Sequence, residues 1–288
     1  MSKVISFQIP KTGKNFVQYQ EDRGKHFYNN LHQHPQCQLT VIMEGRGQLL
    51  VGDYLGRFQA GDMFLLGESI PHVFRSDAEY FEEESDLSIA GNTIFLDFQA
   101  FNKSLQEVDE FRELIHLNEQ INGCFKIEGE TKTQILRLFL DFGSQSSLTK
   151  LQRAIQMLSI LDMESENLIS LNRIPVSRSL SERDGKRMDQ VMRFILENSK
   201  RPISLEEVAE QAFMSKEAFC RFFKLRTRKT FTQYLQELRI TEAKKLLLET
   251  DLGIAQVSYQ VGFHTLSHFN KTFKSITKQT PKSWKKLN

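Results

Sequence analysis

Phe219-Cys220-Arg221-Phe222-Phe223-Lys224 and Phe269-Asn270-Lys271-Thr272-Phe273-Lys274 are two copies of one pattern, fifty residues apart. In each, the phenylalanines at the first and fifth positions share one helical face, while the cations at the third and sixth point away from it. Upstream the offset is forty-nine, because Leu205 and Val208 answer to Ile254 and Val257. The second copy therefore carries one extra residue at its turn, His264. Two short helices joined by a tight turn, the second with a polar outer face, fit a helix-turn-helix. The chain holds two such units, at 203–225 and 253–275.

The residues around the repeat give each unit its boundaries. Residues 188–198 put Met188, Val191, Met192 and Ile195 on one face of a preceding helix, and Pro202 breaks the chain after it. Ser204 with Glu207 forms a capping box, in which each side chain satisfies the other's orphan amide. Leu205, Val208, Ala209, Ala212 and Phe213 follow at helical spacing, so all five are expected in the core. Met214 and Ser215 make the turn, with Ser215 capping a helix that buries Phe219, Phe222 and Phe223. Thr230 and Gln233 form a second capping box, opening a helix over 231–249 that packs through Tyr234, Leu235, Leu238, Ala243, Leu246 and Leu247. At ~1.5 Å per residue it spans roughly 28 Å, close to the ~34 Å between successive major-groove faces. In the second unit Ile254, Val257 and Val261 pack, Gly262 permits the turn and Thr265 caps the next helix. Leu266, Phe269 and Phe273 point inward there. Thr280-Pro281 starts a last helix, with proline at its favoured first position.

Charge singles out the same half. The 288 residues carry a net charge of +2, but residues 187–288 hold 19 Lys/Arg against 10 Asp/Glu, a net of +9, leaving −7 on residues 1–186. A basic end on an acidic chain predicts a polyanion partner for that end. Cys37, Cys124 and Cys220 show no metal-like spacing and suit a reducing compartment. The first ten residues contain no long apolar run, and no stretch approaches the ~20 apolar residues of a membrane span. The expected location is the cytoplasm.

The basic half resembles the DNA-binding domain of the AraC/XylS family of bacterial transcription regulators. The resemblance rests on Val257-Ser258-Tyr259-Gln260-Val261-Gly262-Phe263, Phe269 to Lys274, Thr280-Pro281-Lys282-Ser283-Trp284-Lys285, and Arg239-Ile240, Ala243 and Leu246-Leu247 in the linking helix. It implies base contacts at Glu217, Cys220 and Arg221 from the first unit and at Ser267, Asn270 and Lys271 from the second. Arg221 suits guanine and Asn270 suits adenine, each in bidentate fashion. Glu217 is either an acceptor from cytosine or a solvated carboxylate, and Cys220 either touches a thymine methyl or simply packs. Lys224, Lys229, Lys274, Lys282 and Lys285 read as phosphate contacts, which position without specifying. The sequence departs from the family at Ser258, where alanine is usual, and at Arg228 and Lys278, where glycine usually ends each recognition helix. If both adopt a left-handed cap, each costs ~1–2 kcal/mol relative to glycine. The expected compensation is a phosphate contact from each.

Residues 1–100 read as short strands. Gln38 to Met43 alternate, Gly45-Arg46-Gly47 and Gly52-Asp53 mark turns, Gly61-Asp62 opens a strand over 63–66, and Pro71-His72 begins the next. His32, His34, Gln36, Gln38 and Thr40 are expected on one face. His32-Gln33-His34, Gln38, Gly45, Gly61-Asp62 and Pro71-His72 resemble a cupin sensor domain, across roughly residues 25–98. The resemblance implies a small β-barrel with a pocket at His32, His34, Gln38, Thr40 and His72, neighboured by Phe27, Tyr28, Phe74 and Arg75. In metal-binding cupins the ligands would fall at His32, His34, Gln38 and His72. Gln38 replaces the usual acid, so neither a resident metal nor another cofactor is expected. His26 and His116 read as ordinary histidines. Helices are expected over 103–118, 131–143 and 148–163, with an apolar stripe of Leu148, Leu151, Ile155, Leu158 and Leu161. That stripe either packs on the barrel or, as family members do, pairs two subunits.

The expected fold is thus α+β and multi-domain. A cupin-like sensor barrel occupies 1–102, a helical dimerisation segment 103–171, a polar linker 172–186, and an all-α domain with two helix-turn-helix units on one long helix 187–288. The expected function is sequence-specific regulation of transcription at double-stranded promoter DNA, not catalysis. A homodimer and a small-molecule effector are implied, with RNA polymerase as a further partner of an activator. The alternatives are a metal-dependent cupin enzyme fused to a DNA-binding domain, and a nonspecific architectural DNA binder.

Overall fold

The computed structural model describes residues 15–100, 108–163, 167–172, 182–227 and 229–287. By contact the chain divides into two compact units, Lys3–Glu182 and Arg183–Asn288. The expected linker at 172–186 lies mostly outside the described residues.

The first unit is built on two antiparallel sheets. Strands β1 (Val17–Gly24), β2 (Cys37–Glu44), β5 (Met63–Leu66), β7 (Ile89–Leu96), β8 (Cys124–Ile127) and β9 (Leu168–Ser170) form one, in the order β1-β7-β2-β5-β8-β9. Strands β3 (Arg46–Val51), β4 (Tyr54–Gln59) and β6 (His72–Ser76) form the other, in the order β4-β3-β6. Gly45 (φ 102°) and Gly52 (φ 55°) occupy the left-handed region at the two turns flanking β3, which is why glycine stands there.

The period-two alternation of β2 decides the layering. Cys37, Leu39 and Val41 join Met63, Leu65, Ile94 and Leu96 on the outer face of the large sheet. There they pack on helices α1 (Asp109–Gln120), α2 (Gly129–Phe139) and α3 (Ser147–Met163), through Ile135, Ala154, Met157, Leu158 and Leu161 among others. Ile42, Phe64 and Leu66 point the other way, into a core shared with Leu49, Val51, Phe58 and Phe74 of the small sheet. Gln38 and Thr40 share that inward face. Burial on both sides explains why the central strands read as apolar runs with only a few polar interruptions.

Two expectations for this unit are corrected. The segment 103–171 is not wholly helical, because β8 and β9 extend the large sheet from β5 outward. Both strands are too short for alternation to be visible in sequence. The α3 stripe also divides. Leu158 and Leu161 are fully buried, whereas Leu148 and Ile155 are 75% and 39% exposed. The inward face is instead Ala154, Met157, Leu158 and Leu161.

The second unit contains α4 (Glu182–Asn198), α5 (Leu205–Gln211), α6 (Lys216–Thr227), α7 (Phe231–Glu249), α8 (Ile254–Gln260), α9 (Leu266–Thr277) and α10 (Pro281–Leu287). Both capping boxes form, at Ser204/Glu207 and at Thr230/Gln233. The first half of α7 supports one repeat, with Phe223 edge-on to Tyr234 at 5.5 Å between ring centroids. Its second half supports the other, where Ile240, Ala243 and Leu247 meet Val257, Val261, Phe269 and Phe273.

Candidate nucleic-acid interface and inter-sheet pocket

The two turns of the second unit are the same structure. In the first, the amides of Phe213 and Met214 donate to the carbonyls of Glu210 and Ala209, at 3.0 and 3.1 Å. In the second, Gly262 and Phe263 donate to Tyr259 and Ser258, both at 3.0 Å. The extra residue, His264, follows this closure, and the caps then restore the register. The hydroxyl of Ser215 accepts from the amide of Ala218 at 3.3 Å, and that of Thr265 from His268 at 3.3 Å. The helix ends repeat too. Thr227 and Thr277 each donate to the carbonyl four residues back, at 2.9 and 2.8 Å.

The turn forces one correction. Phe213 occupies the position of Gly262 and, like it, lies at positive φ, 55° against 95°. It is 79% exposed rather than packed with Val208, Ala209 and Ala212. The helix has already ended at Gln211, so helical periodicity no longer sets the direction of residue 213.

Glu217, Cys220, Arg221 and Lys224 are exposed on α6, and Ser267, Asn270, Lys271 and Lys274 are exposed on α9. Phe219, Phe223, Phe269 and Phe273 beneath them are completely buried. The carboxylate of Glu217 is held below its usual pKa by its own backbone amide at the start of α6, with help from Ser215. Lys278 ends α9 in the left-handed region (φ 64°) and is exposed, as is Lys282. Lys285 is exposed but donates to the carbonyls of Thr250 and Leu252, at 3.3 and 3.0 Å. Lys229 differs from the others. Its ammonium is paired with Glu237 and its side chain is only 13% exposed, so it is turned inward rather than towards a phosphate. Arg228 lies outside the described residues.

In the first unit a cavity of about 240 Å³ opens between the sheets. Among the expected pocket residues, His32, Gln38, Thr40 and His72 line it, together with Phe27, Tyr28 and Phe74. His34 is buried directly behind, against Gln38. Gln36, although also buried, turns away to Asp97 at 3.2 Å. Arg75 is absent from the lining because its neighbours in the strand, Phe74 and Ser76, take the opposite face. His26 lines the cavity and stacks on Phe81 at 4.5 Å, contrary to expectation. His116 is exposed on α1, as expected. Gln20, Asp22 and Arg23 of β1 and Thr93 and Phe95 of β7 complete the wall. Neither strand carried a turn or motif strong enough to place it from sequence.

Burial disfavours the charged form of all three inner histidines. His32 is pushed down to about 4, and His34 and His72 are also lowered, each mainly by desolvation. They are neutral imidazoles near neutral pH. A polar ladder runs from them along β2. Gln38 touches His34 Nε2 at 2.9 Å and Thr40 Oγ1 at 2.7 Å, and Thr40 meets Thr93 at 2.9 Å.

Two matched helix-turn-helix units on one long helix, each with a buried aromatic floor and an exposed polar face, define a DNA-binding regulator of transcription. Comparison with known proteins narrows the class. A family described as "Helix-turn-helix domain" matches residues 208–287. An uncharacterized HTH-type transcriptional regulator, YdeC of Bacillus subtilis (strain 168), is 35% identical over 102 residues, 35% of this chain and 35% of that one. The HTH-type transcriptional activator RhaR of Enterobacter sp. (strain 638) is 24% identical over 258 residues, covering 88% of this chain and 86% of its own. A transcriptional regulator of Chromobacterium violaceum with an AraC-type DNA-binding domain is 25% identical, with a TM-score of 0.33 over 35% of this chain and 89% of that one. Over the spans given, the chain is similar to DNA-binding transcription regulators of the helix-turn-helix class. The named relatives are regulators rather than enzymes. Among the described residues no helix is long and apolar enough to cross a membrane.

Proposed function

We propose that this chain regulates transcription by reading a specific DNA sequence through α6 and α9, under control of a small molecule bound between the sheets of the first unit. The observation that carries the reading is the repeated exposed face. Glu217, Cys220 and Arg221 answer to Ser267, Asn270 and Lys271 at a constant offset of fifty, each set above buried phenylalanines. Different residues at equivalent positions give two helices different base preferences, which a nonspecific binder does not need. Lys224, Lys274, Lys278 and Lys282 contact phosphate and set the register, with Arg228 assigned the same role from sequence. Lys285 adds charge while fastening α10 to the end of α7.

The first unit is read as a cupin-like barrel in its sensor form. Its cavity, polar along the Gln38–Thr40–Thr93 side and aromatic along the other, suits one small effector. The effector shifts the populations of active and inactive arrangements. The exposed Leu148 and Ile155 on α3 suit pairing with a second copy, and RNA polymerase is a further partner if regulation is positive.

The test is selection of binding sites from random double-stranded DNA by the full chain, followed by titration of the enriched site and a scrambled one. The expected result is a preference spread over two adjacent major-groove segments. Arg221→Ala should then lose about 1–3 kcal/mol on the enriched site and relax one base position. Equal affinity for enriched and scrambled DNA would refute sequence reading, and an equal loss on both would make Arg221 a phosphate contact.

A further inference from the structure

Gly262 is a glycine for a reason that its turn alone does not supply. Phe213 holds the equivalent place in the first turn, also at positive φ, with its side chain in solvent. The turn therefore accepts a side chain at this place for a modest strain. At Gly262, however, a Cβ would stand 2.8 Å from the carbonyl oxygen of Ser199, 3.0 Å from Arg239 Nε and 3.0 Å from the carbonyl carbon of Lys200. The connection between α4 and α5, which leads into the first repeat, lies against the backbone of the second turn, closer than a side chain permits.

Arg239, near the middle of α7, fastens this contact. Its Nε donates to the carbonyl of Ser199 and its Nη2 to that of Arg201, both at 2.8 Å. The same guanidinium lies 5.8 Å from the ring centroid of Phe263, which closes the second turn. It is half-buried, and its planar fork holds two carbonyls in one geometry, which an ammonium cannot do.

Other links between the repeats are looser. Among the described residues, the apolar cluster that buries Phe269 and Phe273 draws on α7 from Ile240 onward and on nothing from α4, α5 or α6. Gln236 reaches His268 across the repeats at 3.3 Å, but in an exposed contact where water competes for both partners. The long helix α7 fixes the distance between the repeats. The contact of Ser199, Arg239 and Gly262 lies off its axis and fixes their rotation about it. Each base pair added between two DNA segments moves one of them about 3.4 Å along the duplex and about 35° around it. Recognition helices locked in rotation cannot follow that change.

We propose that Arg239 and Gly262 fix the register between α6 and α9, so that the protein reads the number of base pairs separating its two DNA segments as well as their sequence. Arg239 is a positioning residue that acts through the second turn rather than on a base. The proposal rests on the reading of DNA through α6 and α9.

The experiment has two arms, both with the full chain. The first needs no DNA. Spin labels go on Cys220, the exposed cysteine, and on Asn270→Cys, while Cys37 and Cys124 are buried. The distance between α6 and α9 should give a single narrow peak, broadened by Arg239→Gln and less so by Arg239→Lys. In the second arm, one base pair is inserted into or removed from the enriched site between its two segments. The wild-type chain should lose about tenfold or more in affinity. In Arg239→Gln that penalty should shrink to about threefold or less, with base preferences inside each segment unchanged. Arg239→Lys, which keeps the charge but not the fork, should fall between and decides the matter if Arg239→Gln does not fold. A merely structural role would weaken every spacing by one factor and leave the penalty unchanged, which overturns the proposal. A wild-type peak as broad as that of the variants overturns the lock, and equal wild-type affinity for all spacings overturns the spacing readout. A narrow, Arg239-dependent distance in a chain that enriches no DNA site keeps the lock and refutes the sequence reading instead.

Discussion

Single residues carry strain where, among the described residues of the second unit, a side chain other than glycine's holds the left-handed conformation. Lys278 ends α9 at φ 64°, and Phe213 closes the first turn at φ 55° where its counterpart is Gly262. A side chain in this region costs ~1–2 kcal/mol, of which glycine's greater freedom in the unfolded chain returns a part. The cost at Gly262 itself would be higher, because an added Cβ would stand 2.8 Å from the carbonyl of Ser199 and 3.0 Å from Arg239 Nε. Lys278→Gly should therefore stabilise the second unit by about 1 kcal/mol in thermal or urea denaturation. If Lys278 also touches phosphate, the slope of log affinity against log salt should fall by about 0.9. A stabilised protein with an unchanged salt slope would remove Lys278 from the phosphate contacts and leave the strain argument intact. Lys229 shows what sequence leaves out at this scale. Its place near a recognition helix suggested a phosphate contact, but Glu237 lies nearly two turns into the next helix and takes the charge.

Elements were legible where local physics fixes them. Capping boxes at Ser204 and Thr230, the glycine turns around β3 and the proline start of α10 all depend on neighbours within four residues, and each formed where the spacing put it. Strands β8 and β9 depend instead on the free edge of β5, which lies some sixty residues before β8, and four- and three-residue strands have no period of their own. Ser258, where the resemblance makes alanine the usual residue, shows what a packed element does to a polar substitution. Ser258 is completely buried on α8, and its hydroxyl has no hydrogen-bond partner. Leaving a buried hydroxyl unpaired costs about 1–3 kcal/mol, and alanine removes the group with little loss of volume. Ser258→Ala should raise the unfolding midpoint of the second unit by the equivalent of about 1 kcal/mol, with DNA specificity unchanged. A fall in stability would mean that the hydroxyl is satisfied in solution and that the element is not strained at this contact.

At the scale of the whole chain, the site was partly legible. His32, His34 and Gln38 stand close together in sequence and His72 follows a proline turn, so they were identified, but six of the fifteen lining residues come from β1 and β7, which pair residue for residue from Val17↔Leu96 to Gly24↔Ile89. Gln20, Asp22, Arg23 and Thr93 reach the cavity only through that pairing, so no local pattern pointed to them. The same distinction applies to assembly. The amphipathic reading of α3 placed five residues on one stripe, and the fold uses Leu158 and Leu161 for the core while leaving Leu148 and Ile155 in solvent. These two lie seven residues apart, two turns along one edge of the helix, which is the spacing of a seam between paired helices. A second copy of the chain would cover them and place two pairs of recognition helices on one DNA. Ile155→Glu is partly exposed in the single chain and should leave its folding intact, while halving the mass seen by sedimentation and weakening binding to a two-copy site far more than to a one-copy site. An unchanged sedimentation mass with Leu148→Glu and Ile155→Glu combined would exclude this face as the seam. A wild-type chain that is monomeric at working concentration would reduce the reader to one pair of helices per site.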